Sequence, residues 1–517
     1  MSLHADLFTE NESLRADVEG LKIAVVKRDE RLANFEDEVT RLHEMIRDLK
    51  RMKFGTKSER WESPEQALLF NEAESHAKDE PADDADGTEI NVAAHTKKRG
   101  HRRPLPADLE REIVIIDLPD SEKFDDQGNP LRKIGEEVSE KFIFSPAEMK
   151  VLQIHRIRYG ADSGDTGKIA PPPPSIIPKG IATSSLLAHI VLQKYGYGLP
   201  LYRQEEIFSH MGVDIPRCTM ARWIVQAAEA LRPIWNILED WVMASPYVSA
   251  DETHTQVLKE KGRTAQSRSW MWVRCTPSDE RKIILFDYDP SRAGAVVKKL
   301  FTDYRGVVQC DGYAGYNELE RQDGVTRIGC NMHGRRKFEA AFRVGAKNGK
   351  SLGEIGLGYY KRIYQVETDA RGKPANQRYT IRNEKAQPVW DEFKKWADKT
   401  RKKVPPKSKI GEAFRYFINE YDYLTGYMKD GKLEADNGFA ERAIKSFAIG
   451  RKNWLFSDST AGADASALFY SVMITAKING VDPYKALVDI FDQVPLASTI
   501  EDFERIAAII VPQAPTL

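Results

Sequence analysis

Cysteine is scarce in this sequence. Its 517 residues hold four, Cys218, Cys275, Cys310 and Cys330, and no two form a Cys-x-x-Cys pair. That argues against a disulfide framework or a closed thiolate cage and predicts reduced, mostly buried thiols. Long apolar runs are missing too, since none approaches the roughly 18 residues of a membrane span. Met1 is followed by a polar start with His4, Asp6 and Glu10 rather than a hydrophobic signal segment, so the protein is expected in the cytoplasm, without a membrane partner. An excess of one charge is also absent: 77 basic and 78 acidic residues leave a formal net charge of −1. The segment 72–89 is strongly acidic and 97–103 is basic. Overall neutrality hides these patches and neither supports nor excludes a polyanionic partner.

What is present is length and patterning. A chain this long implies three or more domains. Over residues 1–52, Leu7, Leu14, Leu21, Phe35, Leu42 and Leu49 recur at multiples of seven, with Val18, Val25, Leu32, Val39 and Ile46 in the companion positions. That seam predicts a coiled coil and self-association, most simply as a dimer; an amphipathic helix packed on its own globular body is the alternative. Asn11 and Arg28 interrupt the seam, as register-setting polar residues do.

Residues 53–110 read as a linker with a basic arm. Lys97, Lys98, Arg99, Arg102 and Arg103, beside Gly100 and Pro104, suit an extended segment along phosphates or in a minor groove, or else a solvated linker. Residues 111–170 alternate in strand fashion, at Glu112–Ile116 and Lys150–Ile154, and predict a small β module. Over 171–245, helical periodicity at Ser184–Tyr195, Tyr202–Met211 and Thr219–Leu231, with Gly212 in a turn, fits a helix-turn-helix-like DNA-binding unit or a plain helical bundle. Arg203, Arg217 and Arg222 are its candidate DNA contacts. Strands then follow at Tyr247–Leu258, Ser269–Thr276 and Lys282–Asp287, a helix at Ala293–Phe301 and a strand at Gly306–Cys310, which together predict a multi-domain α/β protein. From about Phe338 to Met428 the chain is charged and helical. Residues 437–480 and Tyr484–Val494 are helical again.

Two carboxylates stand within apolar strand patterns: Asp251 in Val248-Ser249-Ala250-Asp251-Glu252-Thr253, and Asp311 in Val307-Val308-Gln309-Cys310-Asp311-Gly312. A carboxylate in such a setting is costly to desolvate without a partner or a cation. Gly312 permits close backbone approach. Two such groups on neighbouring strands suit a hard, oxygen-preferring ion such as Mg²⁺, and a third acid would complete a two-metal clamp on a phosphodiester. The best third candidate is Glu441, one turn beyond a cap at Asn437 and alongside Lys445. Each acid taken singly reads more readily as a capping or salt-bridging surface carboxylate.

The run Asp436-Asn437-Gly438-Phe439-Ala440-Glu441-Arg442-Ala443-Ile444-Lys445, with Gly450-Arg451-Lys452-Asn453-Trp454-Leu455-Phe456, resembles the carboxyl-terminal motif of the bacterial insertion-sequence transposases of family sixty-six. Phe54-Gly55-Thr56-Lys57-Ser58-Glu59, Leu199-Pro200-Leu201-Tyr202-Arg203, Ala250-Asp251-Glu252-Thr253 and Asp311-Gly312-Tyr313 agree in order. The resemblance covers nearly the whole chain. It implies a ribonuclease-H-like catalytic core over 246–345 and 435–480, a helical insertion over 346–434 and a C-terminal helical tail over 481–517. It also implies the triad Asp251, Asp311 and Glu441 as catalytic and metal-binding residues, spaced by 60 (251 to 311) and 130 residues (311 to 441). The ion implied is Mg²⁺, with Mn²⁺ as substitute. The reaction implied is cleavage of the element's DNA ends and strand transfer, on double-stranded end and target DNA, with small accessory proteins as further partners.

His333, Arg336 and Lys337 resemble the family's His-x-x-Arg-Lys-Phe block and are candidate phosphate contacts. Arg442, Lys445, Arg451 and Lys452 join them, and Trp454 is a candidate for stacking on an unpaired base. In one respect the sequence departs from the family. Members carry paired Cys-x-x-Cys motifs in the region matching 120–165, yet no cysteine here precedes Cys218. Tetrahedral zinc needs four ligands, so the β module is expected to be metal-free and no zinc is expected. A catalytically silent DNA-binding regulator and a nuclease or resolvase on the same core fit many of the same residues.

Overall fold

A computed structural model describes residues 2–54, 149, 151–155, 158–160, 167–169, 172–277, 281–345 and 351–512. The basic arm, and most of the segment expected as a β module, lie outside the described residues. The strand expected at Lys150–Ile154 is corrected in part: residues 151–155 adopt no strand, and Val151, Leu152 and Ile154 are exposed. An alternating pattern makes a strand only where a neighbouring strand takes up its backbone groups. The short strands described nearby are β1 (Arg158–Gly160) and β2 (Gly167–Ile169), paired antiparallel. The chain divides into two units, residues 57–155 and the remainder, and every helix and strand described belongs to the larger one.

Helix α1 spans Ser2–Phe54 without a break. Along its heptad seam Leu14, Val18, Leu21, Val25, Leu32, Phe35, Val39, Leu42 and Ile46 are all exposed. Asp37, on another face, pairs with Lys403. No helix among the described residues is long and apolar enough to cross a membrane.

Helices α2 (Ser184–Val191), α3 (Leu201–His210), α4 (Arg217–Ala230) and α5 (Arg232–Met243) follow. Thr183 caps α2 by accepting from the Leu186 N–H at 3.3 Å. Gly212, at φ 77°, makes the left-handed turn between α3 and α4, a conformation that costs glycine nothing. Helix α4 buries Met220, Trp223, Ile224 and Ala227 and leaves Arg217 and Arg222 outside.

The central sheet comprises β3 (Tyr247–Lys259), β4 (Arg268–Cys275), β5 (Ile284–Asp289), β6 (Gly306–Cys310) and β7 (Val325–Gly329), in the order β5-β4-β3-β6-β7. Strand β4 runs antiparallel to both β3 and β5, and β6 and β7 continue parallel to β3. The parallel step needs a crossover, which α6 (Gly294–Leu300) supplies.

After β7 come α7 (Asn331–Gly345), α8 (Leu352–Ala370), α9 (Ala375–Ile381), α10 (Gln387–Thr400), α11 (Lys409–Asn419) and α12 (Tyr421–Leu424). The chain then forms α13 (Gly438–Trp454), β8 (Ser457–Ser459), α14 (Thr460–Ile478), α15 (Pro483–Gln493) and α16 (Ile500–Ala507). Helices α15 and α16 both lie within the segment 481–517 expected as a helical tail. Strand β8 adds to the far end of β3.

The free edge of β5 is covered by α14. Ser471 Oγ accepts from the Phe286 N–H at 2.7 Å, and Thr475 Oγ1 accepts from the Ile284 N–H at 3.0 Å. Hydroxyls on one helical face thus occupy the groups a further strand would pair with.

The helices between β7 and α13 have their own aromatic core, with Phe338, Tyr360, Trp390, Phe393, Phe414 and Phe417 all buried. Phe393 and Phe417 lie 4.1 Å apart between ring centroids. The core reaches the sheet through Ile328 and Tyr247. Beside it Arg382, fully buried, forks onto Glu367 at 2.9 and 2.7 Å and donates to the carbonyls of Tyr427, Asp430 and Leu433. Replacing it removes the bidentate partner of the part-buried Glu367, which keeps only Arg378 at 4.0 Å, and a buried donor to each of the three carbonyls. Arg382→Ala is therefore expected to cost about 3–5 kcal/mol, measured by urea unfolding; a loss below about 1 kcal/mol would show that the network contributes little.

Candidate active site

Strands β3 and β6 pair in the register Tyr247↔Val307, Val248↔Val308 and Ser249↔Gln309. Asp251 and Asp311 each lie two residues past the last of these pairs. They therefore sit level on neighbouring strands, whose backbones run about 4.8 Å apart. Asp311 turns back to accept from the Tyr313 N–H at 2.9 Å, the local bond that favours aspartate where a strand exits into a turn. Gly312 is needed there because a Cβ would lie 2.7 Å from the Tyr416 ring. Asp251 accepts from the Glu252 N–H at 2.9 Å. Burial pushes its carboxyl well above the usual carboxylate range, and the charges of Glu252, Asp311 and Glu441 push it further.

Glu441 comes in on α13. Asn437 stands at the N-terminus of that helix, as expected, but its side chain makes no cap. It donates instead to the Ala250 carbonyl at 2.7 Å, and Asp436 Oδ1 takes the Gly438 N–H at 2.9 Å. A buried amide facing an unpaired strand carbonyl outweighs a local cap. The result anchors α13 to the residue preceding Asp251. Lys445 is exposed; the partner of Glu441 is Arg336 on α7, at 2.5 and 3.2 Å.

His333 Nδ1 lies 3.4 Å from Glu441 Oε1 but makes no hydrogen bond. Burial holds His333 below the usual imidazole range against the pull of Glu441. Cys330 Sγ lies 3.9 Å from Glu441 Oε1. At the start of α7, Asn331 donates to the carbonyls of Leu424 and Ala435 at 2.9 and 2.8 Å. This ties the aromatic-cored helices to the strand leading into α13.

Sequence reasoning passed over Glu252 and Arg292. The Glu252 side chain is 1% exposed. It receives Arg292 at 2.8 and 2.5 Å and the Tyr316 hydroxyl at 2.5 Å. The Arg292 guanidinium sits 3.7 Å from the Tyr313 ring centroid, and Tyr313 donates back to the Arg292 carbonyl at 2.7 Å. Glu252 holds Asp251 through its N–H and Tyr313 holds Asp311 in the same way, so Arg292 braces the two acids against each other. The adjacent acids in Ala-Asp-Glu-Thr signalled Glu252; nothing local to Arg292 signalled its role.

The other candidate residues scatter. Arg203, Arg217 and Arg222 are exposed on α3 and α4, and Lys337 is exposed on α7. Arg442, Lys445 and Lys452 are exposed along α13. Arg451 is half-buried, with its Nη1 lacking a partner. Trp454 is already engaged: Tyr195 meets it edge-on at 6.1 Å, and Lys194 Nζ lies 5.3 Å from its ring. Lys97, Lys98, Arg99, Arg102 and Arg103 lie outside the described residues. Of the four cysteines, all free, Cys218 alone is exposed.

Known proteins share this arrangement of sequence. The model of the "Transposase IS66 family" matches residues 179–465, and that of "Transposase C of IS166 homeodomain" matches residues 41–114. Among similar curated proteins are three uncharacterized proteins of Sinorhizobium fredii (strain NBRC 101917 / NGR234). The one called y4qI is 30% identical over 90% of this chain and 87% of its own length. Proteins y4hP and y4jD are each 29% identical, over 78% and 81% of this chain and 76% and 83% of their own lengths. The class is thus that of the transposases, proteins that act on DNA. Within it, the chain belongs to the IS66 family.

The unpaired acids have a consequence for stability. A carboxyl raised in the folded state contributes stability below its unfolded value, and that contribution is lost as pH rises through the folded value. Asp251 should thus destabilise the metal-free protein at pH 7–8. Asp251→Asn is expected to raise its melting temperature by about 2 °C or more at pH 7.5, with a smaller gain at pH 4.5. A fall at both pH values would show that the carboxylate is satisfied in the fold.

Proposed function

We propose that the protein is a transposase of the Asp–Asp–Glu type, with Asp251, Asp311 and Glu441 as its catalytic acids. The observation that carries this reading is the level placement of Asp251 and Asp311 on β3 and β6, beside a helix that brings in Glu441. Three antiparallel strands followed by two parallel ones, with acids on the first and fourth and a third on a later helix, support a ribonuclease-H-like core. The helices between β7 and α13 are then its insertion.

The donor chemistry suits Mg²⁺, with Mn²⁺ as substitute; among the described residues the oxygens of Asp251, Asp311 and Glu441 do not all lie within 4.8 Å of one another, so the set closes up on binding. It consists of hard carboxylate oxygens, and the Asp251 charge is held at a cost that a cation would remove. Bound there, the metal supplies activation of water and charge neutralisation at a phosphodiester undergoing in-line displacement. The chain's own residues do the rest. Arg292 keeps the separation of the two aspartates, and Asn437 sets the approach of Glu441. Arg336 neutralises Glu441 in the metal-free protein. Lys337, Arg442, Lys445 and Lys452 form an exposed cationic flank for DNA phosphates, with Arg203, Arg217 and Arg222 on the α3–α4 pair and the basic arm 97–103 holding end sequences. A released 3′-hydroxyl serves as the second nucleophile, so no covalent protein–DNA intermediate is required.

The exposed seam of α1 supports pairing of two protomers through a coiled coil, so that both element ends are handled together. The placement is cytoplasmic, on DNA.

Asp251→Asn is expected to reduce Mg²⁺-dependent nicking and joining of the element's end DNA by more than about 100-fold, while binding of that DNA persists. Nicking without joining in the wild type would mark a nuclease. Binding without cleavage in either Mg²⁺ or Mn²⁺ would mark a regulator. Placing lysine at Leu21 and Phe35 together is expected to shift the full-length protein from dimer to monomer in sedimentation velocity; an unchanged sedimentation coefficient would remove the seam from the interface.

A further inference from the structure

One group of side chains beside the carboxylates differs from them in chemistry. Cys330 Sγ, His333 Nδ1 and a Glu441 carboxylate oxygen all lie within 4.8 Å of one another. The N-to-O separation is 3.4 Å and the S-to-O separation is 3.9 Å. A tetrahedral zinc ion with bonds of about 2.0 Å to N and O and about 2.3 Å to S would hold these atoms about 3.3 and 3.5 Å apart. The nitrogen–oxygen pair thus stands about 0.1 Å and the sulfur–oxygen pair about 0.4 Å from that spacing, with the sulfur and the nitrogen within 4.8 Å of each other. His333 Nδ1 is buried without a hydrogen-bond partner, an expense that an acceptor of its lone pair would remove. Burial and the charge of Glu441 push the free Cys330 thiol up; the Asn437 N–H, which points at Sγ from 3.2 Å, works against them and steadies the sulfur as a ligand.

We infer that Cys330, His333 and Glu441 form a site for a soft divalent cation, Zn²⁺ above all, with the fourth position left to water. On binding, the Cys330 thiol releases its proton to water, and Sγ, Nδ1 and one Glu441 oxygen each donate a lone pair. Arg336 gives up Glu441. The site shares Glu441 with the catalytic set, and its consequence rests on that assignment: zinc at this position draws Glu441 away from Asp251 and Asp311. Hard ions favour the oxygen set and zinc the mixed one. The two occupancies exclude each other, and zinc inhibits.

Co²⁺ serves as the probe, because its thiolate complexes absorb in the near ultraviolet and its tetrahedral complexes absorb strongly in the visible. Titrating the full-length metal-free protein should give one equivalent of a tetrahedral, thiolate-bound Co²⁺ that Zn²⁺ displaces and excess Mg²⁺ does not. Cys330→Ser should abolish the near-ultraviolet band. His333→Gln should weaken Co²⁺ binding by more than about tenfold, and provides the test if the serine variant does not fold. No thiolate band, or a band that survives in Cys330→Ser, would overturn the site. In parallel, Zn²⁺ should inhibit Mg²⁺-dependent nicking in the concentration range of its binding. A thiolate band together with full nicking in zinc would leave the site standing and overturn the sharing of Glu441.

Discussion

Two aspartates, Asp251 within β3 and Asp311 just past the end of the adjacent parallel β6, impose the constraint around which this protein is arranged. Glu252 and Glu441 beside them are each matched by an arginine; Asp251 and Asp311 each take a backbone N–H. Burying like charges together is unfavourable by itself. It persists because the surrounding structure over-determines it: the β3–β6 register, the Arg292 brace and the Asn437 anchor are each set by contacts that do not involve the two carboxylates. The cost is the resource, since a site of this kind gains from a divalent cation what it loses without one.

The helices inserted between β7 and α13 serve the same end from further away. Their aromatic core is continuous with the sheet through Tyr247 and Ile328, and Asn331 and Gln309 tie its exit segment to the sheet. Gln309 donates to the carbonyls of Gly329 and Glu434 at 3.1 and 2.9 Å. Glu441, 130 residues beyond Asp311 in the chain, is thereby held to the sheet as firmly as its neighbours. Arg336 and His333 come from the first turns of α7, so the helix that opens the insertion also supplies the partners of the acid that follows it. This closeness places a sulfur, an imidazole and a carboxylate at metal-ligand spacing.

Much of the strand order and most of the helices were legible in the sequence, because period-2 and period-3.6 patterns record which face of each element is buried. Asp251 and Asp311 stood out for the same reason, as charges inside apolar runs. The failures have a physical pattern as well. Lys150–Ile154 alternates like a strand, yet residues 151–155 adopt none, since pairing is a property of two segments. Asn437 has the residue type of a cap and binds a strand carbonyl instead.

By itself, then, the sequence determined most of the elements, the heptad seam of α1 and which acids sit in apolar surroundings. Each of these is written in spacing along a single segment. The tertiary structure alone decided that Asp251 and Asp311 lie level, that Arg292 braces them through Glu252 and Tyr313, and that Cys330 and His333 meet Glu441. Those relations depend on register between strands and on contacts across more than a hundred residues of chain, and no local pattern records either.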